Sequence, residues 1–164
     1  MNWGLITNII LITAFAVLAV FVVLGLCQLI KRRSLKKVDK ELLCAIIPLT
    51  LVAATYFVFD KLIILNTRPN GSGEPSFPST HVMITATIFF ITALILPKYV
   101  KSLSVRAILY AIMLTLLVTI SAGRILANMH WLSDVIGALI FAVIFALIYY
   151  LITKFLTKKG ANYA

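Results

Sequence analysis

The chain has 164 residues, 62% of them hydrophobic and only 12% charged, with a mean hydropathy of +1.08. Soluble domains run roughly 45–50% apolar and about 25% charged, so much of this surface must meet lipid rather than water. A disordered tail protein, a secreted disulfide scaffold and a soluble enzyme are excluded. The formal charge of +10 invites a nucleic-acid reading, but that reading needs a basic face on a soluble fold.

Five apolar stretches follow one another, at residues 5–30, 42–59, 82–97, 107–123 and 135–153. Crossing a hydrocarbon core of about 30 Å takes about 20 helical residues, and helix is the only open-chain form whose backbone is satisfied in lipid. The pattern predicts an all-α, integral-membrane bundle of five spans, one domain over 1–164 without internal repeats. The first stretch reads as a permanent span rather than a cleaved leader. No Lys or Arg precedes it, and Lys31-Arg32-Arg33 follows without a small-residue cleavage site.

Six basic residues lie between the first two stretches: Lys31, Arg32, Arg33, Lys36, Lys37 and Lys40. Lys98, Lys101 and Arg106 lie around the link between the third and fourth, and Lys154, Lys158 and Lys159 follow the fifth. If the spans alternate, all of these share one side, which the positive-inside rule makes cytoplasmic, with the N-terminus outside. The basic surplus is then an orientation signal with some attraction to anionic headgroups, and it implies no nucleic-acid partner. Cys27 and Cys44 fall near the cytoplasmic span ends and read as buried, reduced thiols. Trp3, Tyr56, Tyr99, Trp131, Tyr149 and Tyr150 lie near span ends, where an interfacial aromatic belt belongs.

The other side, which should be poor in cations, keeps Lys61, Arg68 and Arg124, both histidines (His81 and His130), and the acids Asp60, Glu74 and Asp134. Three cations facing one point would neutralise a phosphate monoester, with Arg suited to bidentate binding and Lys adding a point charge. Pro78 and Ser79 look like the start of a helix capped by Ser79, whose free N–H groups favour an anion. His130 and Asp134 stand four residues apart, so on a helix the carboxylate can fix the imidazole's tautomer. An oriented imidazole serves as nucleophile or base, and His81 remains as a general acid. Asp60 should pair locally with Lys61, and Glu74 reads as a solvated charge in the turn-rich loop Asn70–Phe77. Ser121 and Ser133 read as helix polar residues, since neither stands in a nucleophile elbow.

These motifs resemble the type 2 phosphatidic acid phosphatase family, whose relatives include the vanadium haloperoxidases. The family pattern is Lys, six residues, Arg-Pro; then Pro-Ser-Gly-His; then Ser-Arg, five residues, His, three residues, Asp. Lys61 and Arg68-Pro69 match the first part, and Pro78-Ser79 with His81 match the second, with Thr80 for Gly. Arg124, His130 and Asp134 match the third, with Gly123 for Ser. The resemblance implies that His130 attacks phosphorus, Asp134 orients it and His81 protonates the leaving oxygen. It implies that Lys61, Arg68, Ser79, Thr80 and Arg124 hold the phosphoryl oxygens, Thr80 through its backbone N–H. It also implies that no metal or other cofactor is needed. The two departures crowd the phosphate loop at Thr80 and remove a hydroxyl at Gly123, and membrane members often have six helices where five are counted here.

The expected function is removal of phosphate from a membrane lipid at the external face of the cell membrane. The candidate substrates are a polyprenyl diphosphate, phosphatidic acid, phosphatidylglycerophosphate or a lipid A phosphate. Two alternatives share these residues: transfer of the phosphoryl group to an acceptor lipid or sugar, and a non-catalytic anion-binding or transport protein. With His130 as free base and His81 as acid, the rate should follow a bell-shaped pH profile.

Overall fold

Asn2 opens the first helix: its side-chain oxygen accepts from the Leu5 amide at 3.1 Å, satisfying a donor that the helix cannot. Helix α1 then runs unbroken over Trp3–Arg32 and ends at Arg33, whose left-handed backbone turns its N–H back to the Leu29 carbonyl. A single tight turn, Leu35–Lys37, leads to α2 (Lys40–Cys44) and α3 (Ile46–Phe57), and α3 loosens into a wider turn over Val58–Leu62. The break between α2 and α3 falls where Pro48 places no N–H opposite the Cys44 carbonyl and crowds it with its ring. After a loop come α4 (Thr80–Tyr99), α5 (Leu103–Leu126) and α6 (Leu132–Ala161). This computed structural model describes residues 1–161; positions 162–164 of the expected 1–164 domain lie outside the described residues.

Five helical segments are long and apolar enough to cross a membrane among the described residues: Trp3–Arg32, Lys40–Leu62, Thr80–Tyr99, Leu103–Leu126 and Leu132–Lys158. The all-α, five-span expectation therefore holds, and each helical segment overruns its apolar stretch by two to eight residues at each end, where polar groups can still be helical. Ser102, for example, caps α5 through a bond from the Val105 amide at 3.4 Å, five residues before the apolar stretch that begins at Ala107.

The bundle is built around α4. Its apolar stretch is 61% buried, against 11–33% for the other spans, and it packs on α1, α3, α5 and α6. Going round it, α5 packs on α1 and α3 packs on α6, while α1 and α3 rest on α4 more than on each other. Val82, Met83, Ala86 and Phe89 of α4 meet Ile10, Ala14, Ile120, Val135, Ala138 and Ala142 in the main core. Outward-facing apolar side chains such as Ile12, Val20, Ile112, Leu114, Val118, Ile140 and Leu147 stay exposed, as lipid-facing residues do.

The end of the bundle away from the histidines is tied by a polar knot. Asp39 accepts from Tyr99 at 2.7 Å and Gln28 at 3.0 Å, and pairs with Lys98 and Arg32 at 3.3 Å each. Burial pushes its carboxyl up, but the hydrogen bonds from Tyr99, Gln28 and Lys98 outweigh this and bring it down to about 2. Lys98 also reaches Glu41 at 2.6 Å, and Lys40 donates to the Leu156 carbonyl, so α1, α2, α4 and α6 meet here. Two sequence expectations are corrected at this end. Tyr149 is not an interfacial anchor but is buried, 2% exposed, with its hydroxyl donating to the Glu41 carbonyl. Cys27 is exposed on the outside of α1, so only Cys44 is the buried thiol.

At the opposite end α1 approaches α5 closely at Gly123. A Cβ there would stand 2.7 Å from Thr7 Cγ2 and 3.3 Å from Trp3 Cε3. Thr7 has no exposed surface and its hydroxyl is held by the Gly4 carbonyl at 3.0 Å, so it cannot swing away freely. The Gly in place of the family's Ser is thus a packing requirement of this α1–α5 contact. Gly123→Ser should destabilise the protein by about 1–3 kcal/mol, the usual cost of overpacking, read as a lower thermal unfolding midpoint in detergent.

Candidate active site

The loop between α3 and α4 folds back on itself before it reaches the site. Thr67 and Pro75 form an antiparallel bridge, Arg68 N–H donates to the Glu74 carbonyl at 3.0 Å, and Ser76 N–H donates to the Asn66 carbonyl at 2.9 Å. Gly71 and Gly73, at φ 77° and 74°, turn the tip in a backbone conformation that a side chain would strain. Phe77 then anchors the loop. Its ring lies against Gly137 of α6, where any Cβ would come within 2.3 Å, and packs edge-on against Phe59 at 5.3 Å. The Ser79 N–H donates to the Asp134 carbonyl at 3.1 Å, which sets the start of α4 beside the start of α6.

His130 sits in the short link between α5 and α6, just after Asn128, whose positive φ turns the chain. Its ring is buried between two partners. Nδ1 lies 2.8 Å from the Ser76 carbonyl, and Nε2 lies 3.2 Å from Nη2 of Arg124. A carbonyl can only accept and a guanidinium can only donate, so the imidazole carries its proton on Nδ1 and presents a lone pair at Nε2. Burial holds its pKa down to about 4, helped by the Arg124 charge and opposed by the Ser76 bond and Asp134.

Asp134 lies where spacing places it, 3.6 Å from His130 Nδ1, but the bond expected between them belongs to Ser76. The Asp134 carboxylate instead accepts from the Trp131 amide at 2.9 Å, capping the first turn of α6, and keeps its other oxygen unpartnered with no exposed surface. It therefore bears on His130 through its charge and by holding the turn that carries the ring.

The remaining residues converge unequally. Arg68, Thr80, His81, Arg124 and His130 line one cavity of about 260 Å³, together with Leu11, Tyr56, Phe59 and Asp60. Ser79 occupies the position before α4 as expected, yet its hydroxyl makes no capping bond; it is buried and unpartnered, as is the hydroxyl of Ser76. The first bond of α4 runs from Met83 N–H to the Ser79 carbonyl, so the amides of Thr80, His81 and Val82 precede the ladder. Lys61 is not among the lining residues. It is 61% exposed and pairs with Asp60 at 2.7 Å, as expected of that acid, and it is Asp60 that faces the cavity.

Three partners were not legible in the sequence. Ser76, read only as part of a turn-rich loop, supplies the carbonyl that fixes the His130 tautomer. Asn8 of α1 accepts from His81 Nε2 at 3.0 Å; its signal was a lone amide in an apolar span. Glu74 is not merely solvated: its carboxylate sits 2.6 Å from Arg68 Nη1 and occupies a cation that faces the cavity.

Two outcomes follow for the free protein. Nitrogen NMR of His130 should show the Nδ1–H tautomer and a midpoint near 4 rather than 6.5. Since the unfolded imidazole takes its proton near 6.5, stability carried by neutral His130 is complete above that pH and drains as pH falls towards 4. Removing the competitor of Arg68 by Glu74→Gln should tighten binding of inorganic phosphate by about two- to fivefold in calorimetry, the range for a half-exposed ion pair.

No curated protein matches the chain. Among solved structures, it is similar to a crystal structure described as the first transmembrane PAP2 type phosphatidylglycerolphosphate phosphatase from Bacillus subtilis. The TM-score is 0.65 at 21% identity, over 93% of this chain and 75% of that one, which establishes the shared fold. A family model described as PAP2 superfamily matches residues 54–158, a stretch that contains all three motifs. The chain therefore belongs to the PAP2 superfamily, the type 2 phosphatidic acid phosphatase family that its motifs resemble.

Proposed function

We propose that the protein is a membrane lipid phosphatase working through a phosphohistidine, with its site on the external face of the cell membrane. The observation that carries the reading is His130: a buried, neutral imidazole whose Nδ1 proton is spoken for and whose Nε2 lone pair faces Arg68, Arg124 and His81 across one cavity. An imidazole in that state is a nucleophile at neutral pH, and the cations around it suit a phosphoryl group. The basic loops at the other end of the bundle support the external placement of the site, with the N-terminus outside.

In the first step the phosphoryl oxygens draw the Arg124 guanidinium away from Nε2, exposing the lone pair. Nε2 forms a bond to phosphorus while the bond to the lipid oxygen breaks, and His81, protonated on both nitrogens beside the bound dianion, gives its Nδ1 proton to that oxygen while Nε2–H stays on Asn8. In the second step His81 takes a proton from water as the water oxygen attacks phosphorus; the N–P bond breaks, releasing phosphate and restoring His130. Arg68, Arg124, the buried Ser79 hydroxyl and the Thr80 amide hold the phosphoryl oxygens, which gather charge in both transition states. Lys61 joins them by leaving Asp60 when the dianion arrives. Asp134 steadies the positive charge that His130 gains as it attacks, and Asn8 holds the His81 ring ready. No metal enters this sequence.

The lipid class is a polyprenyl diphosphate or a glycerophospholipid phosphate, the latter being the kind of substrate that names the Bacillus subtilis relative. The test is phosphate release from a lipid panel in detergent containing EDTA, wild type against His130→Ala. Release should survive chelation and fall at least about 10³-fold in the variant, and an acid quench should trap acid-labile phosphate on wild type only. Release that needs added metal, or persists without His130, would remove the reading. A protein that binds phosphate but releases none from any lipid would point to anion binding, and a phosphorylated acceptor in place of free phosphate would point to transfer.

A further inference from the structure

Helix α1 carries none of the three motifs and ends at Arg32, before the stretch that the family model matches. It nevertheless brings a polar side chain to the site. Asn8 Oδ1 lies 3.0 Å from His81 Nε2, across 73 positions of sequence. Leu11, three residues on and so on the same face of α1, lines the active-site cavity together with His81. Asn8 itself does not line that cavity, so it can act on the substrate only through the imidazole. An amide oxygen only accepts, so the nitrogen facing it keeps its proton and Nδ1 is the free nitrogen of the ring.

We propose, on the phosphatase reading above, that Asn8 is a positioning residue that makes Nδ1 of His81 the single atom for both proton transfers, and that Gly123 is the packing condition for it. In the first half-reaction Nδ1–H gives its proton to the lipid oxygen as the P–O bond breaks, which leaves a lone pair on Nδ1. In the second, that lone pair takes a proton from water as the water oxygen bonds to phosphorus and the N–P bond breaks. One proton has then passed from water to the lipid oxygen, and Nε2–H has not changed. A ring free to turn over would offer either nitrogen, and the proton would not be collected where it was delivered. The neutrality of the partner matters as much as its place. A carboxylate there would hold His81 as imidazolium, which serves the acid step and deprives the water step of its base. Helix α1 brings no charge of its own between Trp3 and Ile30, and the charged or titratable groups across the cavity are Asp60, Arg68, Arg124 and His130.

The residue before Asn8 sets its position. Thr7 has no exposed surface and lies against Gly123, with Trp3 one turn earlier on the same contact. A Cβ at 123 would stand 2.7 Å from Thr7 Cγ2, so the serine usual at that motif position would push α1 off α5 and carry Asn8 away from the ring. Serine at 123 and the Asn8 bond therefore work against each other. In this chain the motif hydroxyl is absent and an amide on His81 is present, and one close contact accounts for both.

The leaving group separates positioning from packing. A lipid alkoxide needs a proton to depart, whereas p-nitrophenolate does not. In single turnovers, Asn8→Leu should slow phosphoryl transfer from phosphatidic acid about ten- to a hundredfold, a part of what a general acid supplies, and transfer from p-nitrophenyl phosphate by no more than about threefold. Ile9→Ala, on the exposed side of α1, is the control and should leave both rates unchanged. Asn8→Asp should move the alkaline limb of kcat/KM for the lipid up by about one pH unit and let phosphohistidine build up in an acid quench. Gly123→Ser should slow the lipid reaction as Asn8→Leu does, yet add less than about twofold in the Asn8→Leu background, because the bond is already gone. Equal losses on the two substrates, or an unmoved alkaline limb in Asn8→Asp, would overturn the positioning role, and independent effects of the two substitutions would overturn the link to Gly123. Nitrogen NMR of the free wild type tests Asn8 without turnover: His81 should show the Nε2–H tautomer, and an Nδ1–H tautomer would equally overturn the proposal. Wild type that releases no phosphate from either substrate, with the Nε2–H tautomer in place, would instead remove the phosphatase reading.

Discussion

A single imidazole bond holds the site together. His130 gives its Nδ1 proton to the Ser76 carbonyl, and that bond joins the loop before α4 to the link before α6, two segments 54 residues apart. Without it the loop that carries Arg68 and the link that carries His130 would have no side-chain tie at the cavity. With it, the ring has one tautomer and one orientation, and the Nε2 lone pair points at Arg124, as the proposed attack on phosphorus requires. The Ser79 amide on the Asp134 carbonyl and the Trp131 indole on the Thr67 carbonyl, at 2.9 Å, fasten the same two segments again. The phenyl ring of Phe77, seated on Gly137, gives this seam its depth.

The rest of the bundle serves that seam. Helix α4 is the post from which the others are spaced, and its N-terminus delivers Thr80 and His81 to the cavity. At the far end, the hydrogen-bonded knot around Asp39 ties α1 and α4 to the start of α2, so α1 and α4 are fixed at both ends. Polar bonds are thus concentrated where water can reach, while the middle of the bundle is held by apolar packing around α4. The close contact of Trp3 and Thr7 with Gly123 places α1 against α5 and brings Asn8 to His81. A helix that looked from composition like a plain anchor therefore contributes to the site.

The charges form a graded set. Arg124 is buried against the nucleophile, Arg68 is shared with Glu74, and Lys61 waits outside in an ion pair with Asp60. Each of these cations thus has a partner, which lowers the cost of holding several like charges together; on the proposed reaction, phosphate would have to displace those partners.

Composition alone was enough to put the chain in lipid, because 62% apolar residues in five long stretches have no other stable disposition. The motif spacings were enough to mark His81, Arg124, His130 and Arg68 as neighbours, because they match the motifs of the family, and the four do line one cavity. Spacing did not reveal that Asp134 would cap a helix turn rather than bond the imidazole, since i,i+4 geometry presumes a helix that here begins only at Leu132. Nor could it name Ser76, because a backbone carbonyl has no letter in the sequence, or Asn8 and Glu74, which reach their partners across 73 residues and around a glycine turn. What the sequence determined were the groups and the solvent, which depend on residue type and periodicity. What the tertiary structure decided were the hydrogen-bond partners, because those depend on which backbones meet when five helices close around α4.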